Sequence, residues 1–137
     1  LKSAKYISLE TFDRLHCKEV LTGDILISRL PSPVGRACII PSVAYRMITA
    51  VDCTIVRFNT KILNKYFFLE LTQTDYWDYQ MKQIITGIFR DRISRSNLGG
   101  IPTPLPNIEL QQSFADFVGA CDKLKFEAHS YQQSYKE

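Results

Sequence analysis

The sequence predicts an α+β fold: a twisted, mostly antiparallel β-sheet head with packed helices, followed by a long C-terminal amphipathic helix of coiled-coil type. Three observations support this prediction. Short segments rich in β-branched residues fill the first half of the chain, helical periodicity follows, and a proline-rich strap then precedes an unbroken heptad pattern. The 137 residues suit one domain, which at this size buries a core without metal or disulfide crosslinks.

Several segments in the first half are predicted to form strands. Each is short, apolar or β-branched, and bounded by turn residues such as Thr22 and Gly23 or the prolines of the LPSPVG loop. They cover residues 6–9, 24–29, 36–40, 45–50 and 53–58. The ETFDRL stretch after the first segment has the length of a helical turn. Short connections favour antiparallel neighbours, but the pairing order does not follow from the sequence.

Two helices are predicted after the strands. Residues 61–71 carry apolar side chains near helical spacing, which gives this helix one apolar face. A second helix is expected to begin at Thr74, a good N-cap, and to run through Trp77 and Met81 until Gly87 ends it. The aromatic residues around Trp77 form either part of the core or a base-stacking platform, and their helical period favours the core.

A proline strap and a heptad helix complete the predicted fold. The alternating prolines of residues 101–106 (IPTPLP) fix φ and remove amide donors, so this segment is extended after the turn at Gly99 and Gly100. Asn107 is a good N-cap for the helix that follows. Apolar residues then recur at alternating spacings of four and three, as in an a/d seam. They are Leu110, Phe114, Phe117, Cys121, Leu124, Ala128, Tyr131 and Tyr135.

This seam is predicted to pack against a helix from elsewhere, because it continues past the point where a small head can cover it. The alternative is that the amphipathic helix lies on its own domain. Residues 1–106 are therefore assigned to the head, and residues 107–137 to the start of a spacer or dimerisation helix.

No motif for catalysis or cofactor binding is found. The sequence lacks a glycine-rich cofactor loop, the N-P-P-[FY] or D-P-P-[FY] motif of adenine methyltransferases and a nucleotide phosphate loop. His16 and His129 are far apart, and the four cysteines form no C-x-x-C pair. We therefore expect no catalytic residue, no metal site, and reduced, buried thiols in a cytoplasmic protein. The sequence contains no signal-peptide pattern and no run of membrane-spanning length.

Several stretches together resemble a known family. YISLETF, GDILISR with the following VGR, KYFFLEL, and ISRSNLGGIPTPLPNIELQQ with its heptad helix occur in this order over essentially the whole chain. In this combination the chain resembles a target recognition domain from the specificity subunit of Type I restriction-modification systems. A full subunit of that family has two such domains and two spacer helices, whereas this sequence has one head and the beginning of one helix.

The resemblance implies a non-catalytic DNA-binding domain that reads one half of a bipartite target sequence through the major groove. The long helix would set the distance between the half-sites and dock the methyltransferase subunits, and through them the restriction (motor-nuclease) subunit. S-adenosylmethionine is expected only on the methyltransferase subunits, so no cofactor is expected on this chain. The implied partners are double-stranded DNA, these subunits, and a second recognition domain or second copy through the helix, with no membrane contact.

Arginine, serine and asparagine side chains in predicted loops are the candidate DNA-binding residues. A guanidinium group suits bidentate contact with guanine or phosphate, and Ser or Asn supplies shorter contacts. The net charge of +3 permits a nucleic-acid partner without requiring one. The alternative is that these arginines are solvated, some of them paired with Asp24 or Asp91. The candidates are Arg29, Ser32, Arg36, Arg46, Arg90, Arg92, Ser94, Arg95, Ser96 and Asn97.

Two other functions remain open from the sequence. The chain is alternatively a protein-interaction module that acts through its heptad helix without contacting DNA, or the recognition domain of a fused restriction-methylation enzyme of another type. Because the chain begins at Leu1 rather than at a methionine, we expect it to be part of a larger protein.

Overall fold

A computed structural model describes residues 5–31, 33–50, 52–86 and 92–134 of the chain. Within these ranges the fold is α+β, as predicted, with small antiparallel sheets, packed helices and a long helix at the end. The strands are β1 (Glu19–Val20), β2 (Ile25–Ser28), β3 (Ala37–Ile39), β4 (Met47–Ile48) and β5 (Cys53–Val56). The helices are α1 (Leu9–Arg14), α2 (Lys65–Leu71), α3 (Asp75–Ile84), α4 (Arg95–Gly99) and α5 (Ile108–Ser134).

The central sheet has three antiparallel strands in the order β3-β2-β5. β2 lies in the middle and alternates as its sequence predicts: Ile25 and Ile27 are buried, whereas Leu26 and Ser28 are half-buried. β1 and β4 form a separate two-stranded antiparallel sheet. The buried isoleucines therefore give the central sheet the face that covers the core.

The core lies between this sheet and helices α2 and α3. The Phe68 ring of α2 packs edge-on against the Trp77 ring of α3, with ring centroids 5.7 Å apart. Both rings belong to one buried cluster with Ile25 and Ile27 of β2. The interpretation of Trp77 as a core residue is confirmed, whereas the neighbouring Tyr79 is exposed.

Gly35 lets the loop between β2 and β3 approach α3 closely. Its φ of +83° lies in the left-handed region, and a Cβ atom there would come within 2.6 Å of the Met81 Cγ atom. The Gly35 carbonyl accepts a hydrogen bond of 3.0 Å from the Trp77 indole nitrogen. These contacts anchor the β2–β3 loop on the core, so only a glycine fits at this position.

Two of the predicted strands differ from the structure. Residues 6–8 have no regular structure, and α1 starts at Leu9, because the Ser8 hydroxyl accepts a hydrogen bond of 3.1 Å from the Thr11 amide and caps the helix. The helical turn predicted for ETFDRL is thereby confirmed to within one residue. The strand predicted over residues 45–50 is reduced to the two residues of β4.

The two predicted middle helices are both present. α2 starts at Lys65 rather than at residue 61, because the Asn64 side-chain oxygen accepts hydrogen bonds from the amides of Tyr66 and Phe67 and sets the first turn there. α3 begins as predicted, with the Thr74 hydroxyl accepting from the amide of the third helical residue. α3 ends at Ile84, because Ile85 is extended and Thr86 pairs with Arg92, so the prediction that the helix continues to Gly87 is wrong.

The strap and the N-cap of α5 agree with the prediction. Residues 101–107 form neither helix nor strand, and the Asn107 side-chain oxygen accepts a hydrogen bond of 2.8 Å from the Leu110 amide. The strap is attached to α3 by Tyr76, whose hydroxyl donates to the Pro102 carbonyl at 2.6 Å. Within the described ranges, no helix is both long and apolar enough to cross a membrane.

Gln111 joins the beginning of α5 to the head. Its side chain is fully buried, with 0% exposure. Its amide nitrogen donates to the carbonyls of Ile62 and Pro106 at 3.0 and 2.7 Å, and its oxygen accepts from the Asn64 amide at 2.8 Å. These three hydrogen bonds link α5, the strap and the start of α2, so a polar contact fixes the helix to the head at this point.

Candidate nucleic-acid interface

One end of the central sheet brings together segments that are distant in the sequence. Arg29 directly follows β2, and its amide donates to the Asp52 carbonyl at 2.8 Å. Its carbonyl in turn accepts from the Ile93 amide at 3.2 Å, which places residues 92–97 beside the end of β2. On the other side, the Ser28 amide donates to the Arg36 carbonyl at 2.9 Å.

Four of the predicted arginines therefore lie at this end of the sheet, together with part of the predicted serine and asparagine set. We call this surface the arginine face. It comprises Arg29, Arg36, Arg92, Ser94, Arg95, Ser96 and Asn97. A pocket of about 490 Å³ opens in it, lined by Arg29, Thr86, Arg92, Ile93, Ser94, Arg95 and Ser96.

Arg29 forms the floor of the arginine face. Its side chain is only 6% exposed, and the guanidinium Nη1 donates to the Ile93 carbonyl at 3.3 Å. Together with the backbone hydrogen bonds of Arg29, this contact holds the segment after residue 91 against the sheet. The direct DNA contact predicted for Arg29 stays a prediction, and the role supported by its burial is to position its neighbours.

The segment SRSN, which was predicted to lie in a loop, instead forms the N-cap and first turn of α4, so the prediction of a loop is wrong. The Ser94 hydroxyl caps α4 by accepting from the Asn97 amide at 3.0 Å, and it lies 3.0 Å from the Ser96 hydroxyl. Leu98 is buried and anchors the short helix. The side chains of Arg95, Ser96 and Asn97 consequently point out of a fixed helical turn and are exposed.

Arg36 and Arg92 are the exposed arginines at the two sides of the β2 end. The backbone of Arg92 pairs with Thr86, with hydrogen bonds of 3.0 and 2.9 Å. The Arg92 Nη2 atom lies 3.8 Å from the Asp52 Oδ1 atom, which makes a long ion pair between two exposed side chains. Such a pair contributes little to stability and leaves both groups accessible.

Arg46 lies apart from the arginine face, directly before β4 and next to α1. Its guanidinium makes two hydrogen bonds of 3.0 Å to the Glu19 carboxylate and lies 4.8 Å from the centre of the Phe12 ring. The hydrogen bond from Arg46 lowers the pKa of Glu19, and the same bond raises the pKa of Arg46. This arginine therefore has intramolecular partners, and its predicted DNA contact stays a prediction.

The proposed pairing of a candidate arginine with Asp24 is wrong. Asp24 is buried and receives two hydrogen bonds of 2.6 Å from Arg57, which was not a candidate. The Arg57 guanidinium lowers the pKa of Asp24, as does a hydrogen bond from the Leu21 amide at 2.7 Å. Ser32, Arg90 and Asp91 lie outside the described residues.

The predicted seam of α5 is turned away from the head. Leu110, Phe114, Phe117, Leu124, Ala128 and Tyr131 are exposed, and Cys121 is half-buried. The stripe that packs on the head contains instead the buried Gln111 and Ala115, about 100° further round the helix. At the start of the seam, the Phe114 ring makes an edge contact with the Phe67 ring of the head, with centroids 5.9 Å apart. Tyr135 lies outside the described residues.

A second hollow, of about 680 Å³, lies between the segment before α1 and strand β4. It is lined by Lys5, Tyr6, Ile7, Ser8, Leu9, Phe12, Tyr45, Arg46, Met47 and Ile48. The sequence does not mark it as a site, because its two walls come from segments about 40 residues apart and YISLETF, which supplies one of them, carries only the family resemblance. Its apolar lining does not define a ligand chemistry.

The cysteines are free thiols, but the expectation that they are buried is wrong. Cys38 is exposed, and Cys17, Cys53 and Cys121 are half-buried. In the described part of the chain, no three His, Cys, Asp or Glu side chains are grouped closely enough to hold a metal ion. No protein family matches the chain, and comparison with curated proteins gave no significant match.

Proposed function

We propose that the chain is a sequence-specific, non-catalytic DNA-recognition domain of a Type I restriction-modification system. Its head binds one half of a bipartite duplex target through the arginine face. Its C-terminal helix pairs with a second recognition domain or a second copy, and docks the methyltransferase subunits that carry S-adenosylmethionine. Through them it recruits the restriction subunit, in the cytoplasm.

The observation that carries this proposal is the convergence of Arg29, Arg36, Arg92 and Arg95 at one end of the central sheet. Guanidinium groups bind phosphates and guanine edges through paired hydrogen bonds. Exposed Ser96 and Asn97 on α4 add short donors and acceptors beside them. Two of the four arginines sit on backbone that is hydrogen-bonded to β2 or to Thr86, so their positions are fixed before binding.

The helix supports the second half of the proposal. Beyond the contact of Phe114 with Phe67, large side chains of its apolar seam such as Phe117 and Leu124 are exposed. Leaving such side chains in water costs roughly 1.5–3 kcal/mol each relative to burial. The stripe used by the head is a different one, so a partner helix would bind without displacing the head.

The proposal is tested by selecting duplexes from a randomised pool and measuring the affinity of the selected half-site. Replacing the exposed Arg92 by alanine should weaken binding about 5- to 100-fold, because one charged contact to a phosphate or base is lost. The slope of log affinity against log salt should fall by about one if that contact is to phosphate. The thermal stability of the domain should be nearly unchanged, since the lost ion pair is exposed.

Arg14→Ala is the matched control, because Arg14 is an exposed arginine on α1, outside the arginine face. It removes the same charge and should change affinity much less than Arg92→Ala. Enrichment of no duplex, or equal losses for the two variants, would contradict the proposal.

The second candidate function is a protein-interaction module that acts through α5 and contacts no DNA. The exposed seam favours it as much as it favours the first proposal. A chain that pairs through α5 but enriches no duplex at low salt would support this candidate instead. Recognition by a fused restriction-methylation enzyme uses the same arginine face and gives the same binding result.

A further inference from the structure

A carboxylate, that of Asp52, lies next to Arg92 at the edge of the arginine face. Asp52 is held there by its backbone, because its carbonyl accepts a hydrogen bond of 2.8 Å from the buried Arg29. Its side chain is 45% exposed, and its Oδ1 atom lies 3.8 Å from the Arg92 Nη2 atom. A surface built only to attract phosphates gains nothing from this group, because a carboxylate repels the DNA backbone.

The major groove offers a carboxylate only a few favourable contacts. The donors at base edges are the amino groups of cytosine N4 and adenine N6, whereas guanine presents the acceptors O6 and N7. A carboxylate at this surface is therefore compatible with DNA when it accepts a hydrogen bond from an amino group. An adjacent guanidinium is compatible when it donates to guanine.

Asp52 and Arg92 together offer a hydrogen-bond acceptor for an amino group and a donor for guanine, and a C·G pair presents both of these partners. In a C·G pair, cytosine N4 and guanine O6 are hydrogen-bonded to each other and are roughly 3 Å apart. The charged atoms of Asp52 and Arg92 are separated by the comparable distance of 3.8 Å. An A·T pair fits less well, because thymine offers one acceptor and a methyl group where guanine offers two acceptors to the guanidinium fork.

We propose that Asp52 and Arg92 together read a C·G pair of the half-site. Asp52 accepts from cytosine N4 and Arg92 donates to guanine O6 and N7. The inference rests on the proposed function, and it makes Asp52 a specificity-determining residue. Because the ion pair between the two side chains is long and exposed, both groups keep hydrogen-bonding capacity for the base pair, while the backbone of each residue stays fixed by hydrogen bonds.

The test uses the half-site selected by the unchanged chain, with each of the four base pairs placed in turn at every position. At one position the unchanged chain should prefer C·G by about 10-fold or more. With Asp52→Ala this preference should fall to about 2-fold or less, because the acceptor for cytosine N4 is absent. The affinity of the variant for random duplex should rise, because a negative charge has been removed from the surface.

Asp122→Ala is the control, since Asp122 is an exposed carboxylate on α5, where it pairs with Lys125. It removes the same charge and should leave the base preference intact. The two duplexes compared differ only in one base pair. General electrostatics act equally on both, so the ratio of the two affinities reports base reading alone.

The inference is overturned if the unchanged chain selects a half-site in which Asp52→Ala leaves every base preference as it was. It is also overturned if the position that responds to Asp52→Ala prefers A·T. Failure of the unchanged chain to enrich any duplex would reject the proposed function as well, so the two failures are distinguishable.

Discussion

At the scale of single residues, Gln111 is the clearest case of a polar side chain that the fold requires. It is fully buried, and its three hydrogen bonds pair with the Asn64 amide and with the carbonyls of Ile62 and Pro106. A buried group that loses its partner costs more than the hydrogen bond itself contributed, because water does not replace the partner. The buried hydrogen bonds of Gln111 therefore contribute strongly to the orientation of α5 on the head.

We expect Gln111→Leu to lower the free energy of unfolding by about 2–4 kcal/mol. The substitution leaves buried backbone groups without hydrogen-bond partners but does not leave a large cavity. Urea denaturation measures this change. The neighbouring Gln112 is exposed and has one contact to the head, from the Asn64 side chain at 2.7 Å. Gln112→Leu should cost less than about 1 kcal/mol, and equal losses for the two variants would show that the buried network is unimportant.

The Asp24–Arg57 pair makes stability depend on acid pH. Arg57 holds the pKa of the buried Asp24 below its ordinary value of 3.8, so the folded state binds the proton less readily than the unfolded chain does. The ionised carboxylate therefore stabilises the fold at every pH above that ordinary value. This stabilisation is lost as the pH falls through the lower pKa of the folded state.

Asp24→Asn should accordingly lower the free energy of unfolding at neutral pH by about 1–3 kcal/mol, the scale of hydrogen bonds to a charged group whose partner is open to water. The difference in the free energy of unfolding between the unchanged chain and the variant should become smaller below about pH 4. Urea denaturation at a series of pH values measures it. The exposed Asp116 provides the control, because Asp116→Asn should have an effect within about 0.5 kcal/mol at every pH. A gap for Asp24→Asn that is constant with pH would contradict this account.

At the scale of elements, α5 carries two stripes with different uses. The stripe with Gln111 and Ala115 packs on the head over the first turns, and the seam with Phe117 and Leu124 stays exposed. In the heptad assignment of the seam, Phe126 occupies the outermost position, f, which faces away from any partner helix. Phe117 and Phe126 are 67% and 75% exposed, so they form a matched pair on and off the seam.

Phe117→Gln should weaken self-association of the chain by about 10-fold or more, because a seam phenylalanine contributes roughly 1.5–3 kcal/mol when it is buried by a partner. Phe126→Gln should leave association nearly unchanged. Sedimentation velocity over a range of concentrations measures both. A strictly monomeric unchanged chain, or equal effects of the two variants, would rule out the seam as the interface.

At the scale of the whole molecule, the arginine face and the seam are built from separate residues. The arginine face lies at the end of the central sheet, and the seam lies on α5, with no described side chain belonging to both. The effects of distant, independent substitutions on free energy add. The two surfaces can therefore be tested independently in one chain.

A chain with both Arg92→Ala and Phe117→Gln separates the two candidate functions. On a duplex that carries one half-site, its loss of affinity should equal that of Arg92→Ala alone to within about 0.5 kcal/mol. Its loss of self-association should equal that of Phe117→Gln alone. Fluorescence anisotropy and sedimentation velocity measure the two losses, and an effect of the seam variant on half-site binding would indicate that the surfaces are coupled.

The sequence by itself determined those features that depend on neighbouring residues. The alternation of β2, the Thr74 and Asn107 caps and the absence of helix in the proline strap all follow from the conformational preferences of adjacent positions, and all are present. Prediction from neighbouring residues fails where two local signals, one for a helix and one for a turn, occur in the same stretch. The cap Ser94 and the buried Leu98 stabilise α4 in a stretch that was predicted to be a loop ending in a turn at Gly99 and Gly100.

Only the tertiary structure decided which candidate side chains meet. Arg29 and Ile93 are brought together by hydrogen bonds between segments 64 positions apart, and Arg46 is held elsewhere by Glu19. Spacing along the chain does not encode such contacts, because a long charged side chain takes whichever partner the fold presents. Which stripe of α5 faces the head was likewise decided by long-range packing, since a helical period marks several apolar positions but does not say which of them the head covers.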